Sequence, residues 1–357
     1  MEQKWEFLLA DERTINEQVK LFNETFKMNA TPNSWRRKHL KNPLGDGKHL
    51  QVFAAFCDGE LAGINGFVPM EYSYKGEKFR VIQSCDTAVD PKFRGKGVFT
   101  RIIYAAEDYY RSQGYSALVG FPNNNSYHGF IKMKWQDAHH TMKYFFPCDV
   151  KNVGKNMLDK NFPGFLDPLA SLWFHFHNGF VSERSTRYEL RVSDHITVEE
   201  YNSFLNEDKI HISLTQEYLD WKLSAPHKWY RVFIKDREVC SVLSSVFYTS
   251  ETNKRVNILG VSKCKGNKKE FRKAFALILD KMRKDFDILS VWENHDDEVN
   301  KIFLHSGFIK NFTEKEGSPF IIKPLVEDEK IVGTLLDSKL WEPTFIEADY
   351  VLDHNVK

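Results

Sequence analysis

No apolar run in this sequence is long enough to span a bilayer, which argues against membrane insertion. Neither sign of charge is in excess: 50 Lys and Arg stand against 49 Asp and Glu, a formal net charge of +1. That balance argues against nucleic acid or an anionic surface as partner. The opening Met1-Glu2-Gln3-Lys4-Trp5-Glu6 carries acidic residues where a secretory leader would place its apolar stretch, so a cytoplasmic protein is expected. Cysteine is sparse and unpatterned. Cys57, Cys85, Cys148, Cys240 and Cys264 are odd in number, and no two form a Cys-x-x-Cys pair. This argues against a disulfide framework and a zinc site. His139-His140 and the pair His175/His177 lack a thiol or carboxylate at ligand spacing, so no metal is expected.

The chain has 357 residues, more than one core usually serves, so two domains are expected. A 42% apolar fraction with 29 Phe supports aromatic-rich cores. The first half reads strand Glu6–Leu9, then a capping box at Thr14 and Glu17 ahead of a helix burying Ile15, Val19, Phe22 and Phe26. A short helix from Ser34-Trp35 must end before Pro43. Strands are expected at 51–56, 61–74 and 81–89, with turns at Asp58-Gly59 and Lys75-Gly76. A helix follows from Val98 to about Gln113 with Gly114 past its end, then a strand at 117–121, a short helix at 126–133 and a strand at 141–146. We place a first domain at 1–149, a connector at 150–187 and a second domain at 188–357. In the connector, Leu166, Leu169, Trp173, Phe176 and Phe180 form one apolar helical stripe, either packed across the domain junction or serving as a partner or lipid contact.

The second half reads as a worn copy of the first. Trp35, Leu40 and Pro43 match Tyr218, Leu223 and Pro226 at a displacement of 183. The hairpin at 56–61 matches 234–239 at 178, and Lys134-Trp135 matches Gly307-Phe308 at 173. Such drift is what a duplication with short deletions leaves.

The segment from Asp86 to Thr100 carries the chemistry. It lies between a strand and a helix and holds Arg94-Gly95-Lys96-Gly97-Val98-Phe99-Thr100. Successive backbone amides at a helix start, with glycines removing side-chain bulk and two cations nearby, make an anion cradle. A phosphate-bearing ligand is expected. The segment is not a P-loop, because Asp90 stands at its first glycine and Gly97 at its Ser/Thr; Thr100 at the third glycine excludes a dinucleotide fingerprint.

The segment resembles the pyrophosphate motif of the GNAT N-acetyltransferases, Arg/Gln-x-x-Gly-x-Gly/Ala. Arg94 and Gly97 fit, whereas Phe99 departs. The resemblance extends downstream, where Asn123, Ser126, Phe130, Lys134 and Trp135 fall on the family's Asn, Ala, Tyr, Gly and Phe positions. It covers about 1–147 and continues from 188 as a half without the phosphate loop, since Lys263 to Lys268 lacks the motif. The run resembles a tandem subgroup found among surface-polysaccharide and amino-sugar acetyltransferases, to which Trp341-Glu342-Pro343 and Asp349 are also similar.

The resemblance implies an α/β protein of two tandem GNAT-like domains, each a mixed twisted sheet flanked by helices. It implies acetyl-CoA as co-substrate, held by residues 94–100, by backbone around Ala88 and Val89, and by Asn123. The acetyl group would pass directly to a small amine, an amino sugar or nucleotide-linked amino sugar, in a ternary complex. Alternatives are a drug-like or peptide amine, or a non-catalytic acyl-CoA-binding protein. The family's base position is Gln83 and its acid position is Phe130, neither able to transfer a proton. Asp86 is therefore the expected base and Tyr127 the expected acid, although strand alternation sets Asp86 opposite Gln83 unless a bulge intervenes. Cys85 as a nucleophile has no histidine beside it in sequence, and a buried strand thiol is inert. The loop 42–47 either covers the acceptor or simply connects.

Overall fold

The computed structural model describes residues 3–157, 160–163, 166, 168–181, 187–250, 253–294, 296–311, 317–349 and 355–356. The first half runs β1 (Trp5–Leu9), α1 (Ile15–Phe26), α2 (Pro32–His39), β2 (Val52–Cys57), β3 (Glu60–Tyr74), β4 (Glu77–Val89), α3 (Val98–Ser112), β5 (Ala117–Gly120), α4 (Asn124–Lys132), β6 (Gln136–Thr141) and β7 (Lys143–Pro147). The chain continues through α5 (Val150–Met157), α6 (Pro168–Asn178), β8 (Glu189–Ser193), α7 (Val198–Asn202), β9 (His211–Ile212) and α8 (Gln216–Lys222). It ends with β10 (His227–Ile234), β11 (Arg237–Ser250), β12 (Asn253–Val261), α9 (Lys268–Met282), β13 (Ile288–Trp292), α10 (Asp297–His305), β14 (Ile309–Lys310), β15 (Ser318–Pro324), α11 (Glu329–Leu336) and β16 (Asn355–Val356).

Two compact units result, and neither is contiguous in sequence. The first takes Met1–His140, Glu207–Trp221 and Ser318–Pro343; the second takes Thr141–Asn206, Lys222–Gly317 and Thr344–Lys357. The first unit's sheet has the order β1-β2-β3-β4-β5-β15-β6, with β9 beside β3. The second's is β14-β7-β13-β12-β11-β10-β8, with β16 beside β11. Each is mixed: β4 runs parallel to β5 and β12 to β13, among antiparallel pairs. The first sheet thus takes a strand from residue 318 onward between β5 and β6, while the strand at Lys143–Pro147 enters the second sheet between β13 and β14.

Alternation along β2 shows how the first sheet is covered. Phe53, Ala55 and Cys57 join Ile82, Val98, Ile102, Ile103 and Ala106 in a core under α3. Val52 and Ala54 face the other way, with Ile64, Ala88 and the Ile15, Val19, Phe22 and Trp35 side chains of α1 and α2. Each fully buried Ile, Leu or Phe contributes about 1.5–3 kcal/mol. The expected cap at Thr14 is not formed: its hydroxyl donates to Asp11 O at 2.8 Å, and α1 starts without a side-chain cap. A capping box forms instead at α2, where Ser34 N donates to Thr31 Oγ1 and Thr31 N to Ser34 Oγ. Within the second unit, α6 sinks Ala170 and Phe174 into the core and leaves the sequence-expected stripe outside, with Phe176 83% and Phe180 94% exposed.

The displacements seen in the sequence recur as elements. β2 and β3 correspond to β10 and β11, and α3 and α9 both have 15 residues. The helices α4 and α10 both have nine, at the displacement of 173.

Candidate active site

β4 and β5 pair from Val81 with Ala117 only as far as Ser84 with Gly120. β5 ends there, while β4 continues to Val89. The two parallel strands therefore part, and the β4 backbone from Cys85 to Val89 borders the opening.

Just past that point β4 bulges. Gly66 pairs with Cys85 and Ile64 with Ala88, so Asn65 alone faces both Asp86 and Thr87. Such an extra residue re-aims a side chain. Asp86 takes a left-handed φ of +49°, which Asp tolerates better than bulkier residues. Its carboxylate turns to the α2 face, where Lys38 Nζ lies 2.9 Å from Oδ2 and 3.0 Å from Oδ1, and His39 Nε2 lies 2.9 Å from Oδ2. The side chains of Asp86, Lys38 and His39 are 4%, 2% and 0% exposed. Burial opposes ionisation of Asp86, but the Lys38 charge and the His39 contact outweigh it and hold the carboxyl well below the usual carboxylate range. On the strand itself Thr87 Oγ1 donates to Asn65 Oδ1, and Asn65 Nδ2 donates to Ser84 Oγ at 3.0 Å. Gly66 makes this possible: a Cβ there would stand 2.5 Å from His39 Cε1.

His39, Cys85 and Asp86 bring their ligand atoms within 4.8 Å of one another, a set that suits a metal. The Lys38 ammonium already sits on the Asp86 carboxylate, the place a cation would take, so the group reads as a buried ion pair. Cys85 is buried and its thiol donates to Asp86 Oδ2 at 3.6 Å.

Beyond the strand, Pro91–Phe93 make a short turn of helix, and Gly95 and Gly97 take φ of +76° and +72°. A Cβ on either would meet nothing within 4 Å, so positive φ and not protein packing is what asks for glycine there. Gly97 caps α3 without any side-chain bond, and the first turn holds no acidic residue. The first amides of α3 are therefore left to a ligand or solvent. Arg94, Lys96 and both glycines are exposed; Arg94 Nε donates to Val89 O at 3.2 Å, and Lys96 Nζ rests 5.3 Å from the Phe93 ring centre. Val98 is core, and Thr100 is half-buried. Phe99, the departure from the motif, stacks edge-on to Phe130 at 5.1 Å and fills the space left by Gly129, where a Cβ would come within 2.8 Å. Its bulk is thus turned onto α4. This cradle of amides, glycines and two cations is chemically suited to a pyrophosphate.

The second unit differs at the matching place. α9 is capped by Asn267, whose Oδ1 accepts from Lys269 N and Glu270 N, and Glu270 in its first turn pairs with Arg187 and Arg237. A capped helix start with a carboxylate does not welcome an anion.

The remaining expected residues are placed as follows. Ala88 is buried against α1 and α2, which leaves its backbone to act. Asn123 caps α4, accepting from Asn125 N at 3.0 Å and Ser126 N at 3.1 Å. Tyr127 packs beside the α3 core, and its hydroxyl donates to Asp137 Oδ2 at 2.6 Å. Asp86 and Tyr127 thus belong to opposite faces of the sheet. Phe130 is core. Sequence reasoning missed Lys38, His39 and Asn65; the signal available was Gly66 inside a strand, which marks a close approach.

Residues 7–136 match the family model of the acetyltransferase (GNAT) domain. Comparison by sequence with curated proteins gives no match. Among solved structures, a GCN5-related N-acetyltransferase from Anabaena variabilis aligns with a TM-score of 0.58 at 10% identity, covering 90% of this chain and 73% of that one. A probable N-acyltransferase from Enterococcus faecalis aligns at 0.61 and 10%, covering 91% and 73%. The N-myristoyltransferase of Saccharomyces cerevisiae, solved with myristoyl-CoA bound, aligns at 0.57 and 12%, covering 89% and 77%. At these identities the likeness is one of fold. Residues 7–136 thus match an acetyltransferase (GNAT) domain, in a chain whose two mixed sheets have the tandem GNAT-like fold.

Proposed function

We propose that the protein is an N-acetyltransferase that moves acetyl from acetyl-CoA to a small amine, an amino sugar or nucleotide-linked amino sugar. The observation that carries this reading is the uncapped start of α3, with Gly95 and Gly97 open to solvent, next to the point where β4 and β5 part. Acetyl-CoA, when bound, supplies the activated acyl group. Amides from Gly95 to Thr100 hold its pyrophosphate, with Arg94 and Lys96 adding charge. Backbone around Ala88 and Val89 lines the path of its pantetheine arm. The subgroup resemblance and the near-neutral net charge favour the amino-sugar class. A cytoplasmic location is proposed on the same footing; among the described residues no helix is long and apolar enough to cross a membrane.

For the proton steps, Tyr127 is the proposed acid. Asp86 acts in this reading as a positioning residue, because a carboxylate held ionised by Lys38 is a poor proton acceptor. It holds the bulge from which the β4 backbone faces the opening. The engaged Asp86 and the buried Phe130 also favour a second reading, a binder of acyl-CoA that transfers nothing.

The test pairs calorimetry with thiol release. Gly97→Val forces an unfavourable φ and puts bulk where the phosphates would lie. CoA affinity should be lost while the circular-dichroism spectrum is kept; equal affinity overturns the assignment. Thiol release from acetyl-CoA with amino sugars, aminoglycosides, polyamines and peptides separates the enzyme from the binder and ranks the acceptor classes. Turnover confined to peptides or polyamines overturns the amino-sugar choice.

A further inference from the structure

Gln83 is wholly buried, and neither its Oε1 nor its Nε2 has a hydrogen-bond partner among the described residues. It is the one side chain among the described residues with two buried polar atoms unpaired. Each such group costs about 1–3 kcal/mol. Its strand neighbours are Val68 on β3 and Val119 on β5, so an apolar side chain of the same length would suit the position better. A polar group kept against that cost points to something it binds.

Its place in the fold says what. Gln83 lies one rung before Ser84 and Gly120, the last pair before β4 and β5 part. Ile82 faces the α3 core, and alternation turns Gln83 to the other face, which Gly66 and the Lys38–Asp86–His39 group also occupy. The phosphate cradle at the start of α3 belongs to the Ile82 face, since Val98 packs in the same core. Gln83 therefore stands at the foot of the strand opening, on the far side of the sheet from the cradle.

This inference rests on the acetyltransfer reading, in which the acyl group enters by that opening and meets its acceptor at the far side. We propose that Gln83 is the acceptor-recognition residue: its carboxamide grips a neutral group that both donates and accepts a hydrogen bond, a hydroxyl or amide beside the reacting nitrogen. A hydroxyl satisfies both halves, donating to Oε1 and accepting from Nε2. A second cation is the wrong occupant, because the carboxamide offers it no charge and the Lys38 ammonium shares this face.

The experiment compares the full chain with Gln83→Met and Gln83→Leu, using acetyl-CoA with glucosamine, a hydroxylated amine, and cyclohexylamine, a bare one. Three readouts are taken: melting temperature without ligand, CoA affinity by calorimetry, and KM with kcat for each amine. Loss of unpaired polar atoms should leave the melting temperature equal or higher, and CoA affinity should not change. KM for glucosamine should rise about tenfold, the worth of about one hydrogen bond, while KM for cyclohexylamine stays. A lower melting temperature in both variants, or their failure to fold, would show a structural hydrogen bond, for instance to a buried water, and overturn the proposal. Weakened CoA binding or an equal rise for both amines overturns it too. Failure of the underlying reading looks different: wild-type protein then neither binds CoA nor releases thiol with either amine.

Discussion

Asp86→Asn is isosteric and removes one charge from a group that is almost wholly enclosed. The Lys38–Asp86 contact is 2.9 Å, with side chains 2% and 4% exposed. Breaking such a buried pair from one side costs roughly 3–5 kcal/mol. The bulge conformation at Asp86, with φ of +49°, also loses its anchor. The double variant Lys38→Met/Asp86→Asn removes both charges and should cost about 1–3 kcal/mol less than the two single changes together. Urea unfolding followed by tryptophan fluorescence, at equal m, reads these differences as midpoint shifts. The dependence on pH has a definite sign. Because the folded carboxyl titrates below its unfolded value of roughly 3.9, its contribution is complete above that pH and is lost as pH falls through the folded value. The gap between wild type and Asp86→Asn should therefore stay level from about pH 5 to 8 as far as this group is concerned, and close only in acid below about pH 4. A cost under about 1 kcal/mol, or single costs that simply add, would refute the buried-pair account.

Gly66→Ala drives a methyl against His39 Cε1 at 2.5 Å and should lose about 1–3 kcal/mol by thermal melting, since the neighbour is itself fully buried. Calorimetric titration with CoA should saturate at one per chain, because the matching helix start in the second unit is capped by Asn267 and carries Glu270; saturation at two refutes this. Tyr127→Phe should slow turnover about tenfold to a hundredfold if its hydroxyl is the acid, with little change in melting temperature, as the group is only partly buried. Unchanged rates would return Tyr127 to a packing role beside Asp137.

Local chemistry was enough to determine a good deal of this protein. The turn signals at Asp58-Gly59 and Lys75-Gly76 divided the apolar runs into β2, β3 and β4, apolar residues at helical spacing wrote α3, and Gly95 and Gly97 marked a loop that needs positive φ. Each depends on residues within one turn or strand, where sequence neighbours are spatial neighbours. The tandem architecture was also legible, since a duplicated fold repeats its local patterns at a drifting displacement. Tertiary structure decided the rest. Asp86 found Lys38 and His39 because a bulge opposite Asn65 turned it to α2, across separations of 48 and 47 residues that no local pattern encodes. β15 lies in the second half of the sequence yet joins the first sheet, and β7 of the first half joins the second, because a strand pairs wherever an edge is free. The helix α6 buried Ala170 and Phe174 and left its longer apolar stripe outside, because the surface it meets, not its own periodicity, selects the face that packs.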